Sequence, residues 1–187
     1  GKIVKNSKVY PVQHKSESTW KKETETKTFT YDGKGNFKAY QVQVGKNDTT
    51  PKDLDLSLAK STTDILSATL DMMGNLEKNP ECTGDRLIFD GDRNFYLQFK
   101  NTTTEQLKKN DYNMFGGTAL SCTVEVKPHK GKWRKKPRGW LSIQEQGRQQ
   151  NALPLVWFGK MDKDEKSPYI PVKIRVKTGY GTLFMHL

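Results

Sequence analysis

The sequence lacks any apolar run near the roughly 20 residues that a membrane-spanning helix needs, which excludes a protein that crosses the membrane on helices. It also lacks a Gly-x-Ser-x-Gly motif, a P-loop and a GxGxxG fingerprint, which would indicate hydrolase or nucleotide-binding chemistry. Its three histidines, His14, His129 and His186, show no spacing typical of metal ligands. We therefore expect no enzyme activity, no catalytic residue, no cofactor and no metal site.

Cysteine is also scarce, since the chain has only Cys82 and Cys122. The pair fits either one disulfide, worth about 4 kcal/mol by loop closure, or two buried free thiols. In the alternating segment "TALSCTVEV", Cys122 lies on the apolar side with Leu120 and Val124. A shielded sulfur there suits a structural role better than a reactive one, but it does not decide between the two alternatives.

The most charged stretch, Lys127–Arg138, contains no acidic residue. Much of the chain's net charge of +11 is therefore concentrated there. Such concentrated charge attracts polyanions. Two interpretations stay open: a solvated hairpin loop, or a surface that docks on anionic lipid or nucleic acid, with tryptophans that sit at a membrane interface or stack on bases. The anion-binding candidates here are Lys127, Lys130, Lys132, Trp133, Arg134, Lys135, Lys136, Arg138 and Trp140.

A second basic row follows near the end of the sequence, in the segment "IPVKIRVKTGYGTLFMHL". Val172, Ile174 and Val176 alternate with three cations. A period of two indicates a half-buried strand, so the cations are expected to point outward. We add them to the anion-binding candidates: Lys173, Arg175 and Lys177.

Most of the remaining chain shows strand patterns joined by turns. "DGKG" at 32–35 and Asp90-Gly91 predict hairpin turns between apolar arms. Strands are predicted at Thr118–Val126 and at Trp140–Ile143, with the basic run as a hairpin-type connection between them. The 19 aromatic residues (four Trp, seven Tyr, eight Phe) are spread along the chain, which argues against wholesale disorder.

One segment, Ser61–Lys78, has a helical period instead. Ser61 or Thr62 is suited to cap its start, and Asp64 suits the first turn. Its apolar stripe is expected to face the core: Ile65, Leu66, Leu70, Met73 and Leu76. We therefore predict one mainly β domain over residues 1–187, a curved antiparallel meander with a spiral or half-barrel-like sheet and a single helix packed on its concave side.

Four segments in this order resemble a bacterial family, the domain of unknown function 3108. They are "TTDILSATLDMM", the Asp-Gly hairpin "RLIFDGDRNFYLQF", the Cys-bearing strand "ALSCTVEV", and the ending that runs from "LPLVWFG" to "GTLFMHL". The resemblance covers about Thr62–Leu187, and Phe29–Val44 is similar to the hairpin that precedes these segments in the family.

The resemblance implies an exported, usually periplasmic, envelope protein with a curved or spiral sheet. The family has no assigned enzyme activity, so no catalytic residue is carried over. An oxidising periplasm would favour the disulfide between Cys82 and Cys122. Family members begin with further strands before the position of Gly1, so we expect N-terminal strands to be trimmed here, and a signal peptide with them. The basic loop is not expected of the family.

Our functional hypothesis is a non-enzymatic periplasmic envelope protein that binds a lipid, a lipoprotein or a protein partner. Its basic residues would dock on anionic surfaces such as lipopolysaccharide. The alternatives are a purely structural scaffold and, less favoured, a basic nucleic-acid-binding domain; the run contains no RNP1, KH or zinc-finger signature. The sequence leaves the oligomeric state open.

Overall fold

A computed structural model describes residues 2–4, 8–162 and 167–186, and the protein in these ranges is mainly β, as predicted. The strands are β1 Lys2–Val4, β2 Lys8–Tyr10, β3 Gln13–Trp20, β4 Glu23–Tyr31, β5 Phe37–Val44, β6 Asn47–Asp48, β7 Asp85–Phe89, β8 Arg93–Leu107, β9 Gly117–Gly131, β10 Leu155–Lys160, β11 Tyr169–Thr178 and β12 Gly181–His186. The helices are α1 Ile65–Leu76, α2 Trp140–Gln149 and a 3-10 turn, Leu56–Ala59.

Each sheet follows the order of the sequence. Strands β7 to β12 form a six-stranded sheet in which each strand neighbours the next along the chain, and β3 to β6 form a four-stranded sheet of the same kind. Strands β1 and β2 pair separately, and the described registers are antiparallel. This order is that of a meander, which short turns between neighbouring runs favour.

The chain divides into two compact units. The first comprises Gly1–Ala68, Arg86–Phe95 and Pro128–Trp133. Its core is aromatic and aliphatic: Phe29, Tyr31, Tyr40, Val42, Leu58, Ala59 and Phe89 are buried together. Burial raises the pKa of the Tyr40 hydroxyl to about 12.

The second unit comprises Thr69–Asp85, Tyr96–Lys127 and Arg134–Leu187. Cys82 and Cys122 form a disulfide inside it, with both residues fully buried and their Cα atoms 5.7 Å apart. Of the two sequence interpretations of the cysteines, the disulfide is therefore the one that the structure contains. The core of this unit contains the buried residues Leu107, Phe115, Ala119, Leu155, Trp157 and Val172.

The predicted strand at Trp140–Ile143 is wrong, because these residues begin helix α2. The prediction of a single helix is wrong for the same reason. The side-chain amide of Gln144, only 2% exposed, accepts from the backbone N–H of Val126 at 2.6 Å and donates to the carbonyl of Val126 at 2.9 Å. Helix α2 thus supplies hydrogen-bond partners for the backbone of Val126, which lies beyond the last β9 residue that pairs with β10.

The predicted helix exists as α1, but its expected orientation is wrong. Asp64, not Ser61 or Thr62, is the cap, since its carboxylate accepts from the N–H groups of Leu66 and Ser67 at 3.0 Å. Residues Asp64, Ser67, Asp71 and Met72 are buried, whereas three members of the predicted stripe, Ile65, Leu66 and Leu70, are exposed. Met73 is half-buried, and Leu76 is buried as predicted.

Candidate anion-binding site

Three candidate cations are brought onto one face of the second unit. In the registers of β10, β11 and β12, Lys173 lies opposite both Trp157 and His186, and Arg175 lies opposite Phe184. Directly opposed residues of antiparallel strands share a face. We call this surface the basic–aromatic face and define it by Trp157, Lys173, Arg175, Lys177, Phe184 and His186.

Aromatic rings hold two cations of this face, Lys173 and Arg175, in place. The Lys173 Nζ atom lies 5.1 Å from the centroid of the Trp157 ring and 4.7 Å from that of Phe184. The Arg175 guanidinium carbon lies 5.9 Å from the Trp157 centroid. Each such cation–π contact contributes about 0.5–1 kcal/mol at an exposed site. The cations therefore cover the buried Trp157 ring and are partly ordered before any ligand arrives.

The charges of this face are not neutralised by neighbours. None of Lys173, Arg175 and Lys177 forms an ion pair in the part of the chain that the structure describes. The Nε atom of Arg175 is buried without a hydrogen-bond partner among those residues. An unpaired, partly desolvated cation attracts an anion more strongly than one in bulk water does.

A cleft of about 660 Å³ opens beside this face. Lys108, which follows β8, and Tyr112 line it together with Lys173, Phe184 and His186. The loop between β8 and β9 is ordered by Asn110, whose side-chain oxygen accepts from the N–H groups of Tyr112 at 2.9 Å and Asn113 at 2.8 Å. Strand β8 extends to Leu107, so the loop that joins it to β9 spans residues 108–116.

The second basic element, the run Lys127–Arg138, is exposed but is not the predicted hairpin-type connection between two strands, since β9 continues into it and helix α2 follows it. Strand β9 continues to Gly131, where φ is +97° and an added Cβ would lie 2.5 Å from the Cα atom of Arg93. Lys130 is anchored in the first unit, since its N–H donates to the side-chain oxygen of buried Asn94 at 2.9 Å. Lys132 likewise donates its N–H to the carbonyl of Asp92 at 3.2 Å.

The Trp133 side chain packs against other residues of the first unit. The Arg93 guanidinium carbon lies 4.3 Å from its ring centroid, and Phe95 packs edge-on at 6.4 Å. The indole N–H donates to the Lys130 carbonyl at 3.2 Å, and Arg93 is held by Asp90 at 2.8 Å. This ring is therefore a structural clamp on the end of β9, because one of its faces is already covered.

The remaining cations of the run belong to the second unit. Lys127 lies 4.0 Å from Glu125, which also receives Arg148 at 2.6 Å and raises the pKa of that guanidinium. Trp140 opens α2, and its ring N–H is buried without a partner among the described residues. Four cations are exposed on the segment before α2: Arg134, Lys135, Lys136 and Arg138.

Sequence reasoning missed the aromatic half of the site. The signal was present for Phe184 and His186, which alternate on the last strand, but only the register shows that they face Lys173 and Arg175. It also missed Trp20, which is 77% exposed at the tip of the β3–β4 hairpin beside Lys21 and Lys22. Both lysines have positive φ, as the tight turn between these strands requires.

Within residues 2–4, 8–162 and 167–186, no group of three or more His, Cys, Asp or Glu side chains is arranged to hold a metal ion. No helix in the same ranges has the length and apolar character needed to cross a membrane.

Comparison with known proteins identifies the family. No curated protein and no solved structure matches the chain. A family model described as "Protein of unknown function (DUF3108)" matches residues 2–187, so the similarity extends well beyond the Thr62–Leu187 region in which the motifs were noticed. Because the match spans essentially the whole chain, the protein belongs to the DUF3108 family.

Proposed function

We propose that this protein is a non-enzymatic component of the periplasmic cell envelope that docks on anionic lipid surfaces through its basic–aromatic face. The observation that carries the proposal is the row Lys173, Arg175 and Lys177, which has no acidic partner among the described residues. Within it, Lys173 is held against Trp157 and Phe184, and Arg175 against Trp157. Lys and Arg near an anionic membrane each contribute about 1 kcal/mol. Aromatic side chains prefer the lipid–water interface.

A lipid surface fits this face better than a nucleic acid does. Base stacking needs an aromatic ring with a free face. The Trp157 ring is 4% exposed under two cations, and the Trp133 ring is stacked on Arg93. Phe184, by contrast, is 46% exposed on the edge strand β12, on the same face as Lys173 and Arg175. Such a mixture of apolar and cationic groups is typical of interfacial binding.

The β3–β4 hairpin tip offers a second contact of the same chemistry in the first unit. Trp20 is exposed there, and Lys21 and Lys22 follow it directly. Indole rings insert at the level of lipid headgroups, while adjacent lysines attract anionic phosphates. We propose that this tip is a lipid-binding contact of the first unit in its own right.

The test is co-sedimentation of the whole chain with vesicles of phosphatidylcholine, with and without phosphatidylglycerol. We expect binding only to the anionic vesicles, and weaker binding as salt rises. The triple variant Lys173→Glu, Arg175→Glu, Lys177→Glu should bind about 100-fold more weakly, since three favourable contributions of about 1 kcal/mol are lost or reversed.

The matched control carries the same charge reversal at three exposed lysines of the first unit, Lys46, Lys52 and Lys60. If the control loses as much affinity as the variant, only net charge matters and the proposed face is abandoned. If duplex DNA binds more tightly than the vesicles at the same salt and the variant abolishes that binding, the protein is a nucleic-acid binder instead.

The periplasmic location rests on the family resemblance, and the disulfide between Cys82 and Cys122 supports it. Structural disulfides persist in oxidising compartments and are rare in the cytosol. Protein extracted from cells under acid quench, then denatured without reductant, should show no alkylatable thiol. Two alkylated cysteines in the native source would contradict the location.

We further propose that the meander is curved, as the family resemblance implies, and that it packs around a helix. The strictly sequential strand order supports such a sheet. Helix α2 is the better candidate for the enclosed helix, because an added Cβ at Gly147 would lie 3.6 Å from the carbonyl oxygen of Lys177 on β11. An experimental structure at side-chain resolution would refute this shape by showing a flat sheet.

A further inference from the structure

The cleft beside the basic–aromatic face gathers hydrogen-bond donors from three separate segments. Lys108 lines it from the end of β8, Lys173 from β11 and His186 from β12. Two aromatic side chains, Tyr112 and Phe184, line the same cleft and are exposed. Hydrogen-bond donors that line one cleft from three separate segments suit an anion that has several oxygens.

The hydrogen bonds of Asn113 determine how His186 faces the cleft. Asn113 is 3% exposed, and its side-chain NH₂ donates to the carbonyls of Lys108 and Phe115, each at 2.8 Å. Both N–H bonds of the amide are thereby used, so its oxygen is left to accept. The His186 Nδ1 atom lies 3.2 Å from that oxygen and must therefore be the donor.

This arrangement leaves the other ring nitrogen of His186 for a ligand. With the proton on Nδ1 engaged by Asn113, Nε2 has no partner among the described residues. A bound anion would favour the doubly protonated ring, in which Nε2–H donates to the anion while Nδ1–H still donates to Asn113. A histidine oriented by a buried amide is prepared for binding rather than free to rotate.

We propose that this cleft binds a phosphomonoester, and this inference rests on the proposed docking function because it names the headgroup chemistry of the same face. A phosphomonoester dianion has three terminal oxygens, one each for Lys108, Lys173 and His186. A phosphodiester has only two such oxygens and a single charge, and a carboxylate is planar and is best matched by the fork of an arginine. The ester substituent lies against Tyr112 and Phe184.

The experiment uses the whole chain and two forms of the same chemistry. Glycerol 3-phosphate is the soluble probe, followed by the NMR shifts of the histidine rings. Phosphatidylcholine vesicles that contain phosphatidic acid are the membrane probe, compared with phosphatidylglycerol vesicles of equal surface charge. We expect glycerol 3-phosphate to shift the His186 ring signals and phosphatidic acid to be preferred over phosphatidylglycerol.

Two matched variants separate a specific site from general charge. His186→Gln removes the ring while keeping a polar side chain, and His129→Gln makes the same change at an exposed histidine of the first unit. Loss of a charge-assisted hydrogen bond should weaken glycerol 3-phosphate binding about tenfold or more for His186→Gln and leave His129→Gln unchanged. If His186→Gln lowers the melting temperature, glycerol 3-phosphate binding by Lys173→Met provides a second test of the site.

The outcomes distinguish this inference from the docking function. Binding of glycerol 3-phosphate that is lost in His186→Gln supports the site. A preference for phosphatidic acid then identifies a lipid as the source of the phosphomonoester. If vesicles with phosphatidic acid are not preferred, the ligand is a soluble phosphomonoester. If glycerol 3-phosphate binds but no anionic vesicle does, the site stands and the docking function fails. If anionic vesicles bind equally, glycerol 3-phosphate does not bind and His186→Gln changes nothing, the inference is overturned while docking survives.

Discussion

Replacing Gln144 by leucine should remove the two hydrogen bonds that join helix α2 to strand β9. Gln144 lies buried between the helix and Val126, and its amide makes two hydrogen bonds, of 2.6 and 2.9 Å, to the backbone of Val126. Leucine has a similar volume but can neither donate nor accept. Both backbone groups of Val126 would lose their partners at a place that β10 does not reach.

The magnitude follows from the two unpaired groups. Each buried backbone group left without a partner costs about 1–3 kcal/mol, and the added apolar contact of leucine offsets about 1 kcal/mol. We expect the free energy of unfolding to fall by about 3 kcal/mol. In a chain of this size, that corresponds to a melting temperature lower by about 6–12 °C.

Two assays check this expectation, with Gln149→Leu as the control because Gln149 is an exposed glutamine of the same helix. Urea unfolding should show a lower midpoint for Gln144→Leu only. Hydrogen exchange of the Val126 amide should accelerate by about 100-fold in the same variant. Equal midpoints for the two variants, together with an unchanged Val126 exchange rate, would refute the role given to Gln144.

Three further predictions concern other parts of the chain. Replacing Cys82 and Cys122 together by alanine should lower the free energy of unfolding by about 4 kcal/mol, because the disulfide closes a long loop across a separation of 40 residues; an unchanged urea midpoint would contradict this. Asp32 accepts three hydrogen bonds from Lys34 and Asn36, which lower its pKa to about 2. Its folded pKa is therefore below the unfolded value, so its stabilisation is complete above about pH 4 and is lost as the pH falls toward 2; a carboxyl NMR titration with a midpoint near 4 would disprove it. Trp20→Ala should weaken vesicle binding and abolish the blue shift of tryptophan fluorescence that vesicles cause, whereas Trp133→Phe should preserve both.

Short-range patterns predicted the strands well, because a strand's alternation is written in consecutive residues. The alternation around Cys122 correctly placed Leu120, Val124 and Val126 among the buried side chains. The same reasoning correctly placed Val172 and Val176 inside on β11. In these places local sequence and burial agree, since each half-buried strand needs one apolar face.

Helices were harder, because periodicity does not say which face will be covered. The stripe of α1 was correctly periodic, yet Leu66 is 61% exposed while Asp64 and Ser67 are buried. Ser67 donates its hydroxyl to the Asp64 carboxylate at 2.7 Å, and His14 lies 3.6 Å from the same carboxylate. Ser67 is a local partner, but His14 comes from a distant position in the chain, so the buried carboxylate has a neighbour that no helical window can show.

The anion-binding candidates illustrate the same division. The sequence by itself determined the mainly β class, the family, the disulfide pair as one of two alternatives, and the two basic segments, because all of these are expressed in composition, spacing or local period. Only the tertiary structure decided that Trp133 is occupied by Arg93 and that Lys173 faces Trp157, Phe184 and His186. The physical reason is register: which side chains meet across strands depends on pairing between segments far apart in sequence, and a shift of one residue would turn every cation of β11 to the opposite face.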